Sequence, residues 1–252
     1  MNMKKAFKLI RKNTFISCIP LISTNRNELL ADVEVGVATG CDFLEWRRDH
    51  FMPGELLTAA EEQDLLDEIK SRMPDQGLIY TFRSHLEGGV CETTDEIRAA
   101  AVIAAINSNR VDYVDVELNN DPAFLERIKG ALNTSETRWL VSHHNFEKTP
   151  PIAEINAVFS AMEGAGGDVL KLAVMPQSTD DVRHLIQATL TYNEKSRKPM
   201  IAIAMGSLGA ITRIAPDLCG GSLTFAAGAG KTAPGQLSLE EIIDLRKRMA
   251  LI

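Results

Sequence analysis

Lys171 stands in the apolar run DVLKLAVM, surroundings that ordinarily hold no charge. Side chains alternate along a strand, so Val169, Lys171 and Ala173 share one face while Leu170, Leu172 and Val174 share the other. An amine buried there beside other cations is expected to release its proton more readily than in water. A neutral amine is the nucleophile that forms an imine with a ketone. Other ionisable groups end similar runs. FLEWR carries Glu45 and Arg47 on one face, and GLIYTFR ends in Arg83 with Glu87 beyond it in SHLEGG. DYVDVEL carries Asp115 and Glu117, RWLVSHH ends in His143 and His144, and Arg213 follows PMIAIAM. One buried charge alone is most simply half of a salt bridge. A group of them at one end of a sheet would be expensive without a function. Asp115 and Glu117 are the natural structural members, as partners for the arginines or Lys171. Only one of two successive histidines can face inward. His144, at the end of its run, is expected to do so, leaving His143 toward a helix or loop. An imidazole titrating near about 6.5 both removes and returns protons at neutral pH.

These residues need elements that hold their ends together. Strands are expected at 15–21, 42–47, 77–83, 112–118, 138–144, 168–174, 199–205 and 222–228, spaced by about one helix and two short loops. The intervening segments carry helix signals: Thr58 caps TAAEEQDLLDEIKSRM, and Thr93 or Thr94 caps TTDEIRAAAVIAAINSN. Pro122 takes the first helical position behind Asp121, and Ser238 caps LSLEEIIDLRKRMA. Eight such units predict a parallel (β/α)8 TIM barrel, one domain spanning residues 1–252, in preference to an open doubly wound sheet. Residues 1–14 fall outside the repeat and are expected to close the bottom of the barrel. The catalytic rim of such a barrel lies at the C-terminal ends of the strands, where the charged residues collect.

Composition narrows the partners. A net charge of -7 disfavours nucleic acid, and no apolar run is long enough for a membrane span. The four cysteines are scattered without a CxxC pair, which fits free thiols in a reducing, cytoplasmic setting. Neither HExxH nor Cys/His spacing is present, and the adjacent histidines cannot readily chelate one ion, so no metal is expected. GAGKT at 228–232 ends like a phosphate-binding loop, but Phe225 occupies the position of its first glycine. Lys231 is read as a solvated loop lysine, and His50, His85 and His184 as surface or loop residues.

From about residue 15 onward the chain resembles the type I 3-dehydroquinate dehydratases, or 3-dehydroquinases. FLEWRRDHF, YTFRSHLEGG, SHHNFEKTP, LKLAVMP, AMGSLGAITR and SLTFAAGAGKTAPGQ carry the resemblance, in order and each at a strand end. It implies that Lys171 is the Schiff-base lysine, His144 the proton-transfer histidine and Glu87 the acid that orients it. It further implies that Glu45, Arg47 and Arg83 hold substrate hydroxyls and that Arg213 binds the substrate carboxylate. Met205 and Phe225 would wall the pocket, with Thr232 and Gln236 on a loop closing over it. No cofactor, a small-molecule substrate and a homodimer are implied as well. Three positions depart from the pattern: Thr232 where many members carry Ser, Asn145 where Asp often follows the histidine, and Pro20 where some carry a contacting Ser. Two other functions compete. A class I aldolase would bind phosphate at the loops after the seventh and eighth strands, and a non-catalytic sensor barrel would have no need of a nucleophile.

Overall fold

The apolar runs form eight parallel strands, β1 (Ile16–Leu21), β2 (Phe43–Arg47), β3 (Gly77–Thr81), β4 (Tyr113–Glu117), β5 (Arg138–Asn145), β6 (Val169–Val174), β7 (Met200–Ala204) and β8 (Leu223–Phe225). The computed structural model describes residues 7–51, 57–228 and 235–252. The strands pair in the order β7-β6-β5-β4-β3-β2-β1-β8, and β8 returns against β7, so the sheet curls into a nearly closed barrel. Around it run α1 (Arg26–Ala38), α2 (Ala59–Arg72), α3 (Asp95–Asn107), α4 (Pro122–Leu132), α5 (Ile152–Gly164), α6 (Thr179–Lys195), the short α7 (Ala210–Ile214) and α8 (Leu239–Arg248).

The expected caps form. Thr58 and Ser238 each make a reciprocal capping box, with Glu61 and Glu241, and Asp121 accepts from the Ala123 amide ahead of α4. Of the two threonines before α3, Thr94 is the cap, accepting from Ile97 N. Several strands begin one residue later than the sequence pattern suggests, for a physical reason. Asp42, Asp112 and Asp168 stand just ahead of β2, β4 and β6, and each turns its carboxylate to a backbone N–H of the preceding strand. Ser17 N, Leu78 N and Trp139 N donate to them at 2.9, 2.7 and 3.0 Å. These aspartates satisfy amides at the barrel floor that would otherwise be left without partners.

Two apolar layers follow from the alternation of side chains. Leu44, Trp46, Leu78, Val141, Leu170, Leu172 and Val174 pack outward against the helices. Cys18, Phe43, Ile79, Tyr113, Leu140, Val169, Ile201 and Leu223 fill the lower half of the barrel. Each such buried side chain contributes about 1.5–3 kcal/mol. Of the segment expected to close the floor, residues 1–6 lie outside the described residues and residues 7–14 lie at the floor: Ile10 joins the inner cluster, its N–H donates to the Tyr113 hydroxyl (2.9 Å), and Lys8 N donates to Asp112 (2.8 Å). With its lower half filled by hydrocarbon, the barrel can hold polar groups only at the upper end of each strand.

Candidate active site

Above the apolar plug, the inward positions change from hydrocarbon to charge. On β6, Lys171 follows Val169 on the inner face, and its Nζ reaches Asp115 Oδ2 on β4 at 2.7 Å and Glu45 Oε1 on β2 at 3.8 Å. It also lies 4.2 Å from the centroid of the Phe225 ring. The expected crowd of arginines is only partly realised. Arg83 shares the Asp115 Oδ2 atom with Lys171, at 2.8 Å, whereas Arg47 is turned away onto Asp49 by two hydrogen bonds of 2.8 and 2.7 Å. The nearest neighbour of the amine is therefore an anion. Arg83 and Lys171 hold Asp115 far below the usual carboxylate range, although burial works the other way. Ser142 donates to the second Asp115 oxygen (2.6 Å), and Thr81 donates to Glu45 (2.8 Å). All the carboxylates at this level are thus paired.

Arg83 leaves β3 just past its last ladder residue and is clamped by Glu117. Glu117 Oε1 accepts from Arg83 Nη1 (2.9 Å) and Ser84 N (2.8 Å), while Oε2 accepts from Arg98 Nη2 (3.0 Å) and Asn120 Nδ2 (2.9 Å). Burial opposes the charge on Arg83, but Asp115 and Glu117 raise its pKa above the ordinary arginine range. The carboxylates expected to be structural partners are such partners. Asp49, wholly buried behind Arg47, also accepts from the backbone of Arg83 and Val90, which ties the loop after β3 to β2.

Glu87 sits on a one-turn 3-10 helix, His85–Glu87, in that loop. The two glycines that follow make the turn possible. Gly88 is left-handed (φ 87°), and a side chain on Gly89 would lie 2.1 Å from the Arg83 carbonyl oxygen. The turn brings the Glu87 carboxylate over the end of β5. Oε2 accepts from both the backbone N–H and Nδ1 of His144, each at 2.9 Å, and Oε1 lies 3.3 Å from Nδ1 of His143. Burial alone would raise Glu87; the two imidazoles, with Arg83, bring it down to about 2. His144 is the inward histidine, as expected, and His143 lies toward the β4 loop beside Asn119. With Nδ1–H committed to Glu87, the other ring nitrogen of His144 carries the lone pair. Burial, reinforced by the charge of Arg83, pushes the imidazole down to about 4 against the pull of Glu87, so it is neutral at pH 7. Its pKa is therefore well below the ordinary value expected from sequence.

Arg213 enters from α7, which Thr212 fastens to the end of β7 by accepting from Ala204 N and donating to Gly209 O. Burial lowers its guanidinium to about 10, still charged at neutral pH. A cavity of about 150 Å³ gathers these groups. It is lined by Glu45, Arg47, Arg83, Glu87, His144, Lys171, Met205, Arg213, Phe225 and Gln236, together with Gly88, Phe146, Ala173 and Ile203. Larger hollows of about 730 and 910 Å³, one beside β1, α1 and α8 and one beside α4 and the starts of β5 and β6, are lined by none of these residues. Every expected site residue but one therefore converges here. The exception, Thr232, lies outside the described residues, as does Lys231. Phe146 was missed: it stacks on His144 (centroids 6.2 Å apart) and covers Gly88. Ser142 and Asp49 were missed too, although Ser142 stands two residues before His144 and so had to face inward with it. Asn145 shapes the loop after β5, its side-chain oxygen accepting from Glu147 N and Lys148 N, both at 3.0 Å. His85 and His184 are exposed, and His50 is half-buried beside Asp49.

Sequence and structure comparisons show which family the chain belongs to. The family model described as type I 3-dehydroquinase matches residues 17–250. A 3-dehydroquinate dehydratase of Klebsiella pneumoniae is 36% identical over 232 residues, covering 90% of this chain and 92% of that protein. One from Listeria monocytogenes is 34% identical over 225 residues, covering 89% of this chain and 88% of that protein. Among solved structures, the type I 3-dehydroquinate dehydratase of Clostridium difficile with covalently modified comenic acid superposes with a TM-score of 0.87 at 29% identity, covering 95% of this chain and 93% of that one. That of Geobacillus kaustophilus superposes equally well, with a TM-score of 0.87 at 27% identity and 97% coverage of both chains. The chain therefore belongs to the type I 3-dehydroquinase family, hydro-lyases that dehydrate 3-dehydroquinate.

Proposed function

We propose that the chain converts 3-dehydroquinate to 3-dehydroshikimate and water through an imine on Lys171, with His144 as the general acid and base. One observation carries this reading: an amine and a neutral imidazole occupy adjacent strands on the same inner face. Lys171 pairs in register with Ser142, and His144 with Ala173, so the imidazole is set two residues, about 6.5 Å, further up the strands. A ring carbonyl at Nζ would leave its neighbouring carbon within reach of His144.

Only the neutral amine attacks, so Nζ must hand on any proton it carries. Asp115, held far below its usual range, is a poor acceptor, and the neutral His144 is a better one. Nζ adds to the ketone, and the proton held by His144 passes to the carbinolamine hydroxyl, which leaves as water to give an iminium and a neutral His144. The iminium makes the adjacent C–H acidic because the electron pair left behind is delocalised into the C=N as an enamine. His144 takes that proton; Glu87 stabilises the resulting imidazolium. The imidazolium returns the proton to the departing β-hydroxyl, the enamine electrons expel it as water, and hydrolysis of the conjugated imine frees Lys171. The iminium is the electron sink, so the residues present suffice for the reaction.

Arg213 is assigned to the substrate carboxylate, for which a planar guanidinium offers a bidentate partner. Glu45, Arg47 and Arg83 are assigned to the hydroxyls, Met205 and Phe225 to the apolar walls, and Thr232 and Gln236 to the covering loop. The Clostridium difficile relative carries covalently modified comenic acid, which fits a nucleophile of this kind. The reading also takes the chain as one barrel domain that works in the cytoplasm as a homodimer; among the described residues no helix is long and apolar enough to cross a membrane. Steady-state assay tests the reading. 3-Dehydroquinate should turn over, a phosphorylated keto sugar should not, and Lys171→Met should abolish turnover while keeping the fold. Turnover surviving in Lys171→Met would exclude the imine route.

A further inference from the structure

Two successive residues of a strand ordinarily serve opposite faces, yet His143 and His144 meet on one carboxylate. The Glu87 turn rises over the end of β5, where the strand no longer separates its two sides. Oε2 takes both donors of His144 at 2.9 Å, and Oε1 stands 3.3 Å from Nδ1 of His143. The same Nδ1 lies 3.0 Å from the side-chain amide of Asn119, in the loop after β4. The end of Asn119 at 3.0 Å is Nδ2. A carboxylate oxygen repels a lone pair, so Nδ1 of His143 carries hydrogen toward Glu87, and the Asn119 amide, whose N and O exchange by a flip, presents its oxygen in that state. A chain Asn119–His143–Glu87–His144 thus crosses the mouth of the barrel.

We propose that His143 is a positioning residue for the reaction: it donates to Glu87 Oε1, stops the carboxylate from rotating, and so fixes Oε2 on His144. This rests on the reading of His144 as the proton-transfer group. His143 does not line the cavity, so it acts through Glu87 and not on substrate. Pinning the carboxylate also moderates it. A donor on Oε1 draws charge from Glu87 and weakens its hold on a protonated His144. The other charged groups that act on His144 are Arg83 above β3, Lys171 on β6 and Asp115 on β4, and none of them touches His143. Replacing His143 therefore changes its contacts with Glu87 and Asn119 and leaves the other charges around His144 in place.

His143→Phe removes the donor and keeps a flat ring, whereas His143→Asn places an amide N–H close to the position of Nδ1. Steady-state kinetics and NMR titration of the His144 ring in the substrate-free protein read the two effects separately. His143→Phe should lower kcat about three- to tenfold with little change in KM, the scale of one lost hydrogen bond. It should also move the His144 titration midpoint upward, and His143→Asn should restore both values. An unmoved midpoint in His143→Phe overturns the proposal, and so does a His143→Asn variant as impaired as His143→Phe. Where His143→Phe does not fold, His143→Leu takes its place with the same outcomes. Because the titration needs no turnover, it stands apart from the catalytic reading, which fails separately if the unmodified protein does not dehydrate 3-dehydroquinate.

Discussion

Replacing Glu87 with Gln removes one negative charge and little else. The amide oxygen can still accept both N–H groups of His144, now made at 2.9 Å, and its NH2 end can face His143 once that ring adopts its other tautomer. The His144 tautomer is therefore preserved, and the missing quantity is the attraction between a carboxylate and the imidazolium formed when the substrate proton is taken. Two unit charges about 4 Å apart interact by about 4 kcal/mol at an effective dielectric of about 20. Arg83, which opposes the imidazolium, and partial solvent access at the mouth reduce the net effect to about 2–3 kcal/mol, or about 30- to 150-fold. Because the imidazolium is absent from the ground state, the loss should fall on kcat with KM nearly unchanged. The assay is the initial rate at saturating and limiting 3-dehydroquinate, with thermal unfolding to verify folding. A Glu87→Gln variant within threefold of the unmodified kcat, or impaired only in KM, would refute the electrostatic role of Glu87.

His144→Ala should lose about 10²–10⁴-fold in kcat, far more than His143→Ala, and equal losses in the two variants would reverse the assignment of the inward face. Arg213→Ala should chiefly raise KM, as measured by steady-state kinetics, because its charge meets the carboxylate in substrate and transition state alike; an unchanged KM removes it from that role. Acid should destabilise the fold early. His144 titrates near 4 when folded and near its ordinary 6.5 when unfolded, so between those values the unfolded chain binds more protons and stability falls with pH, by about 3 kcal/mol from this group. Glu87, near 2 when folded, adds a loss below about pH 4.5 in the same direction. Denaturant titrations from pH 7 to 4 read the effect, and His144→Ala should flatten the upper part of the curve.

The strands and their inward faces were legible because barrel strands are nearly continuous apolar runs, and a charge such as Lys171 or Glu45 within one stands out. The residues that do the holding were harder to see. Asp49 and Arg98 lie outside the strands, and only the folded chain brings them against Arg47 and Glu117. Asp115 was foreseen as a partner for Lys171, but the loss of Arg47 from its surroundings was not, because strand order decides which neighbour comes nearest. Asp115 on β4 reaches the amine at 2.7 Å, whereas Arg47, attractive on paper, is drawn to Asp49. The shared hold of His143 and His144 on Glu87 defies simple alternation and depends on a turn whose two glycines gave no hint of where it would lead.

The imine on Lys171 is the claim on which the rest depends. Borohydride added to the protein during turnover of 3-dehydroquinate should reduce it to a stable secondary amine, and peptide mass spectrometry should place the adduct on Lys171, with none formed in Lys171→Met. An adduct on another residue, or turnover that borohydride leaves untouched, would contradict the account.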